Sequence, residues 1–362
     1  MQYKIPQLDA IRGLAILLVM PHNVSEKFPS FYLHLIFGKG WMGVDLFFVL
    51  SGFLITGILL DTKHSEGYFR NFYARRCLRI WPLYYSLLLF MFVILPLLSS
   101  SEAKTIFEKS SPWWAFPFFL QNFLLRNSTG PAGPLGVTWS LAIEEQFYLV
   151  WPLVVRYCSS AQTRRIAIAE ISLSPALRYY LALHHIDLYT NVFCRLDGLM
   201  AGALLALIVR SDKFAPSRFI KHALAALFVA MPLAFVSDSL NARWIVFSFT
   251  AAASASFLYL SLFCQQKWFQ TVLTNRFLVY TGTISYGLYL LHKIPFGMVQ
   301  MLHWDRYPFL ELPLILATSY LIATLSWYAL EKPFLRLKRF FEFKPDTSHQ
   351  LNGRPIASQR DV

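Results

Sequence analysis

The chain reads as long apolar blocks separated by short polar stretches. Ile80 to Leu98 runs without one charged side chain, about the length that crosses a hydrocarbon core. Comparable blocks cover Leu8–Val24, Val44–Leu60, Val137–Val155, Leu196–Val209, Phe219–Val236, Trp244–Cys264, Phe277–Val299 and Phe309–Leu330. A weaker one lies within Ile166–Leu183, where Glu170, Pro175 and Arg178 interrupt it. Trp113–Leu125 is apolar but short and contains Pro117, so it is expected to lie at the interface or re-enter rather than cross. The pattern predicts an all-α, polytopic transmembrane bundle of about ten spans.

Basic residues orient the predicted spans. They gather in Lys63–Arg79, Arg156–Arg165, Arg210–Lys221 and Lys332–Arg339. Placing every cluster on the cytoplasmic side predicts both termini inside. The expected division is a membrane domain over 1–343 and a polar, disordered cytoplasmic tail over 344–362. Neither an internal repeat nor a separate soluble domain is legible.

Composition supports the same class. Only 15% of the 362 residues are charged and 56% are hydrophobic, with mean hydropathy +0.45. A water-soluble domain carries about 25% charged residues, so solubility is excluded. The net charge of +13 is accounted for by the cytoplasmic clusters, and no nucleic-acid partner is expected. Cys77, Cys158, Cys194 and Cys264 lack metal-ligand spacing and read as free thiols, with no metal expected. The first block carries Asp9 and Arg12, and no small-residue cleavage site follows it, so it reads as a span and not a leader.

Ionisable groups inside a bilayer are costly and mark function by default. His22, Asp45, Glu144 with Glu145, Arg195 with Asp197, and His292 with Lys293 fall at similar depth on five predicted helices, toward the outer face. They predict a polar cavity open to that face. Arg75, Arg76 and Arg79 lead into the third predicted span and share a helix face by their i,i+3 and i,i+4 spacing. They serve either as a topology signal or as a phosphate site.

The motifs that hold these residues resemble the acyltransferase 3 family of bacterial membrane acyltransferases over residues 7–335. In order they are Leu8–Ala15 leading to His22, Gly43–Ile55, Arg75–Pro82, Trp139–Tyr148, Arg195–Gly198, Ser285–His292 and Glu331–Pro333. The resemblance implies an O-acyltransferase of the bacterial cytoplasmic membrane. It would move an acyl group, acetyl above all, from acetyl-CoA or a similar thioester to a hydroxyl of a carbohydrate or other exported acceptor. No permanently bound cofactor is implied. His22 is the implied base, with Arg12 in the same motif and Asp45, Glu144 and Glu145 as carboxylates to orient it. Arg75, Arg76, Arg79 and Tyr84 are the expected donor-binding set. Ser51, Trp139, Ser140, Arg195, Asp197, Tyr286 and His292 are the expected cavity and acceptor set. Nine residues separate Arg12 from His22 where the family has ten, which turns His22 by about 80° from the face of Arg12 unless Pro21 bends the helix. A catalytically inactive family member and a polytopic transporter or flippase are the alternative readings.

Overall fold

The computed structural model describes residues 5–25, 37–98, 112–124, 133–212, 214–239, 241–301 and 308–343. The tail expected over 344–362 lies outside the described residues. Among the described residues every regular element is helical. Helix α1 spans Pro6–Ser25, α2 Met42–Asp61 and α3 Tyr68–Leu89, which continues through a π turn at Phe90–Ile94 to Leu98. Helix α4 spans Thr138–Tyr157, α5 Ser160–Leu183, α6 Leu196–Val209, α7 Pro216–Ser239 and α8 Arg243–Phe263. The short α9, Lys267–Leu273, precedes a rod broken into α10 (Arg276–Thr283), α11 (Ser285–Leu291) and α12 (Lys293–Met301). Helix α13, Pro308–Ser326, runs through a π turn at Trp327–Glu331 to Arg336, and a 3-10 turn covers Leu337–Phe341.

Among the described residues six stretches are long and apolar enough to cross a membrane: α2, Tyr68–Leu97, α5, α7, α8 and Leu312–Phe341. The chain is a multi-pass membrane protein. The weak segment expected within Ile166–Leu183 is one of these six. It extends back to Ser160 because Ser159 and Gln162 form a capping box, with the Gln162 amide donating to Ser159 Oγ at 3.2 Å and the Ser159 amide to Gln162 Oε1 at 2.8 Å. The apolar block expected from Ile80 is preceded by further helix. Its helix begins at Tyr68, so Arg75, Arg76 and Arg79 stand inside a continuous helix rather than before one.

Helix α2 is the hub, with 72% of its apolar window buried, whereas α7 has only 11% buried. The apolar faces left open, such as Phe228 on α7 and Leu149 on α4, suit contact with lipid tails. Backbones touch where glycine permits. A Cβ on Gly202 of α6 would lie 1.9 Å from the Val49 carbonyl oxygen, and one on Gly52 of α2 would lie 1.9 Å from that of Leu199. Helices approach this closely in membranes only through small residues.

Residues 112–124 form a 3-10 turn at Trp113–Ala115 and a run of tight turns. Bare carbonyls cannot face lipid, and here side chains of the bundle satisfy them. Tyr84 donates to the Phe116 carbonyl at 2.8 Å, Tyr85 to that of Pro117 at 2.9 Å, and Gln146 to that of Phe119 at 2.7 Å. The segment is held against α3 and α4.

Candidate functional site

Among the described residues, cavities in the bundle include two that hold residues of the predicted site. The larger, of about 1300 Å³, is lined by His22, Asn23, Trp41, Trp139, Tyr189 and Lys293 among others. The smaller, of about 110 Å³, lies between α1, α2, α3, α4 and α11 and is lined by Arg12, Ser51, Arg76, Arg79, Glu144 and Tyr148 among others. Val44 and Tyr289 line both. At this junction the Tyr289 and Ser140 hydroxyls lie 2.5 Å apart, one donating to the other, and the Val137 carbonyl oxygen lies 3.2 Å from each. Helix α1 connects the two sites. Arg12 and His22 are ten residues apart, or about 15 Å along the axis, and each lines a different cavity.

In the histidine cavity, His22 Nδ1 lies 3.2 Å from the Phe37 carbonyl oxygen. Donation to that carbonyl places the ring proton on Nδ1 and leaves Nε2 as the basic nitrogen. The neighbouring Asn23 donates to the Val19 carbonyl at 3.1 Å, and its Nδ2 lies 3.2 Å from Nε2 of the buried His292. Nδ1 of His292 lies 2.8 Å from the Tyr289 carbonyl oxygen and 3.1 Å from that of Leu288. Both ring nitrogens of His292 are therefore engaged, and the residue clamps α1 to α11 one position beyond His22.

Of the residues expected at the depth of His22, Asp45 and Arg195 pair with each other and Asp197 pairs with Arg178 of α5. Arg195 donates to Asp45 at 3.0 Å, and Arg178 of α5 donates to Asp197 at 2.8 Å. Arg195 is enclosed by aromatic rings, with its guanidinium 3.9 Å from the Phe247 centroid and 5.3 Å from that of Tyr189. Trp139 closes another side at 5.7 Å. These rings form the wall of the histidine cavity with the ion pairs behind it. Arg178 was legible only as a blemish in a weak span, yet it is fully buried and also donates to the carbonyls of Cys194 and Trp244 and to Ser248.

Glu144 and Ser51 face the arginine cavity, where the Ser51 hydroxyl donates to Glu144 at 2.6 Å. Glu145 is outside both linings, and its Oε1 is buried with no hydrogen-bond partner among the described residues. Arg12 donates to Asp9 at 2.7 Å. Arg76 lies over the rings of Phe72 and Tyr148. Arg75 points elsewhere, donating to the Phe341 carbonyl at 3.3 Å. Tyr84, expected with the arginines, stacks on Phe119 at 4.6 Å instead, since five residues past Arg79 is about 140° round the helix. Tyr286 lines the cavity and donates to the Ile80 carbonyl at 2.7 Å. Among the described residues no three His, Cys, Asp or Glu side chains converge on a metal position, and the four cysteines form no disulfide.

This arrangement sets a basic pocket and a basic nitrogen on either side of one hydroxyl pair. A family model described as an acyltransferase domain matches residues 5–330. The chain belongs to the acyltransferase 3 family. Among relatives of this acyltransferase domain is a Bacillus subtilis protein named "Putative peptidoglycan O-acetyltransferase YrhL", 28% identical over 94% of this chain and 56% of its own length. Another is the "Peptidoglycan O-acetyltransferase OatA" of Listeria monocytogenes, 26% identical over 97% of this chain and 60% of its own. The chain thus spans little more than half the length of these relatives. No solved structure matches the acyltransferase domain.

Proposed function

We propose that this acyltransferase moves an acetyl group from a cytoplasmic acetyl-CoA, or a similar thioester, to a carbohydrate hydroxyl beyond a bacterial cytoplasmic membrane. About ten spans and two cytoplasmic termini belong to this reading, with the arginine cavity facing inward and the histidine cavity outward. The two cavities meeting at Tyr289 carry it. One is lined by guanidinium groups suited to phosphates. The other holds an imidazole whose proton is fixed on the far nitrogen.

His22 Nε2 takes the proton of the acceptor hydroxyl as its oxygen attacks the thioester carbonyl carbon. The tetrahedral adduct collapses with cleavage of the C–S bond. The ester leaves with the acceptor, and the thiolate of CoA regains the proton. Both named relatives are described as acting on peptidoglycan, which supports a cell-wall glycan as the acceptor.

Purified protein in liposomes, given acetyl-CoA and soluble peptidoglycan fragments, tests the reading by mass of acetylated product. His22→Ala should lower turnover by about 10²- to 10⁴-fold, the usual contribution of a positioned base, with an unchanged elution profile. Turnover within about threefold of the parent protein would remove His22 from the chemistry.

A further inference from the structure

A carbonyl attacked from the histidine cavity and delivered through the arginine cavity has to sit where the two meet. Among the described residues only Val44 and Tyr289 line both, and of these only Tyr289 has a hydrogen-bond donor in its side chain. Its partners straddle the same point. Val137 lines the histidine cavity and Ser140 the arginine cavity. Helix α4 begins at Thr138 with no side-chain cap from Val137, so the positive end of its dipole stands at the junction as well.

The Tyr289 hydroxyl is held there by rigid elements. Its ring meets Phe47 edge-on with centroids 5.9 Å apart and lies 6.2 Å from the ring of His292. Its backbone is tied to the helix that carries the imidazole. The Tyr289 carbonyl oxygen lies 2.8 Å from Nδ1 of His292, whose Nε2 lies 3.2 Å from Nδ2 of Asn23, the residue next to His22. Helices α1 and α11, not a loop, therefore set the spacing between the phenol and the imidazole.

The Tyr289 and Ser140 hydroxyls have two protons between them. The bond from one hydroxyl to the other is short, at 2.5 Å, whereas each lies 3.2 Å from the Val137 carbonyl oxygen, at the long limit of a hydrogen bond. When Ser140 donates to Tyr289, the phenol proton is left with the weaker contact. It can turn to a better acceptor with little loss. A charged oxygen is such an acceptor, because hydrogen bonds to ionised groups are about twice as strong as neutral ones. The bond accepted from Ser140 polarises the phenol further.

We propose that Tyr289 donates the hydrogen bond that stabilises the oxyanion of the tetrahedral adduct, with Ser140 as the positioning residue behind it, an inference that rests on the acyl-transfer reading above. As the acceptor oxygen bonds to the carbonyl carbon, the π electrons of the C=O bond move onto its oxygen. The Tyr289 O–H turns from Val137 to that oxygen and keeps its proton. On collapse the C=O bond is restored, the C–S bond breaks with its electron pair leaving on sulfur, and the phenol turns back. Tyr289 gains and loses no proton, so the exchange at His22 is unaltered.

The full chain in liposomes is assayed with acetyl-CoA and with its dithioester analogue, in which sulfur replaces the carbonyl oxygen and accepts hydrogen bonds poorly. Tyr289→Phe removes one oxygen and keeps the ring. It should lower kcat with acetyl-CoA by about 10²- to 10³-fold and leave the Kd for desulfo-CoA unchanged. The preference of the parent protein for the oxygen donor over the sulfur donor should shrink by about tenfold or more in this variant. Ser140→Ala leaves Tyr289 its proton and should cost about tenfold in kcat, and it decides the matter if Tyr289→Phe does not elute as folded protein. Tyr280→Phe should leave kcat unchanged, since that hydroxyl lies 2.7 Å from Thr324 Oγ1 and outside both linings. A loss in Tyr289→Phe that is equal for the two donors would make the hydroxyl a structural tie and overturn the inference. So would a kcat within about threefold of the parent protein in either junction variant. Absence of transfer by the parent protein is a different result, and it fails the acyl-transfer reading before any variant is measured.

Discussion

Replacing Arg178 by Met tests whether the ion pair behind the histidine cavity holds the bundle together. Arg178 and Asp197 meet at 2.8 Å with side chains 0% and 2% exposed. At an effective dielectric of about 20 their gross attraction is about 6 kcal/mol. Desolvation of both ions offsets much of that, so the pair itself is close to neutral relative to an apolar replacement. Removing one partner is different, because it strands the carboxylate. Asp197 keeps the Ser248 hydroxyl at 2.9 Å and the Gly198 amide at 3.0 Å but loses its counter-charge. The Cys194 and Trp244 carbonyls lose their Arg178 donor as well. The expected loss is about 3–5 kcal/mol, measured by reversible unfolding in mixed micelles as denaturing detergent is raised. Adding Asp197→Leu to Arg178→Met should recover part of it and leave a deficit of about 2 kcal/mol from the two carbonyls. Asp61→Asn serves as the control. Its pair with Arg210 is exposed, with side chains 58% and 32% accessible, and should change stability by less than about 1 kcal/mol. The reasoning fails if Arg178→Met matches that control, or if the double variant is no more stable than the single one.

Two further outcomes follow from the packing. Arg76→Gln and Arg79→Gln should each raise the KM for acetyl-CoA by about tenfold or more with little change for the acceptor, since a charged hydrogen bond to phosphate contributes about 1.5–3 kcal/mol. Arg75→Gln should do less, because Arg75 is engaged with the Phe341 carbonyl, and equal donor effects from all three in steady-state assays would count against the division. Gly202→Leu should abolish folded protein in detergent extracts while Gly297→Leu is tolerated. A Cβ at 202 collides with the backbone of α2, whereas one at 297 meets nothing within 4 Å. Normal yield of Gly202→Leu would mean that α2 and α6 can separate.

The helices were legible because lipid-spanning segments announce themselves by length and lack of charge. The ordered motifs made the family legible as well. What lay hidden was pairing across helices. Asp45, Asp197 and His22 occupy one depth in the sequence, but two of them turn toward arginines on other helices and only His22 opens to a cavity. Glu144 and Glu145 are adjacent in sequence and diverge by about 100° on the helix, which decides that only Glu144 lines the arginine cavity. Helix faces cannot be told apart in α2 or α6, since apolar residues surround them on every side and leave no polar stripe to read. The arginines of α3 were hidden in another way. Charges mark the edge of an apolar block, and here one helix runs through them into it while Arg76 and Arg79 line the arginine cavity.

The pair between Asp45 and Arg195 also has a consequence in time. The two residues stand 150 positions apart in the chain, and ribosomes add about 5–20 residues each second. The carboxylate of α2 is therefore made about 8 to 30 s before the guanidinium that will meet it. During that interval a segment destined for the centre of the bundle carries an acid without its native base. It must wait protonated, at the water boundary, or in the keeping of the insertion machinery. Completion of α6 ends the wait, and the glycines at 52 and 202 then let the late helix close on the early one without a side chain between them. Assembly of this protein is thus a matter of synthesis order as well as of final contacts.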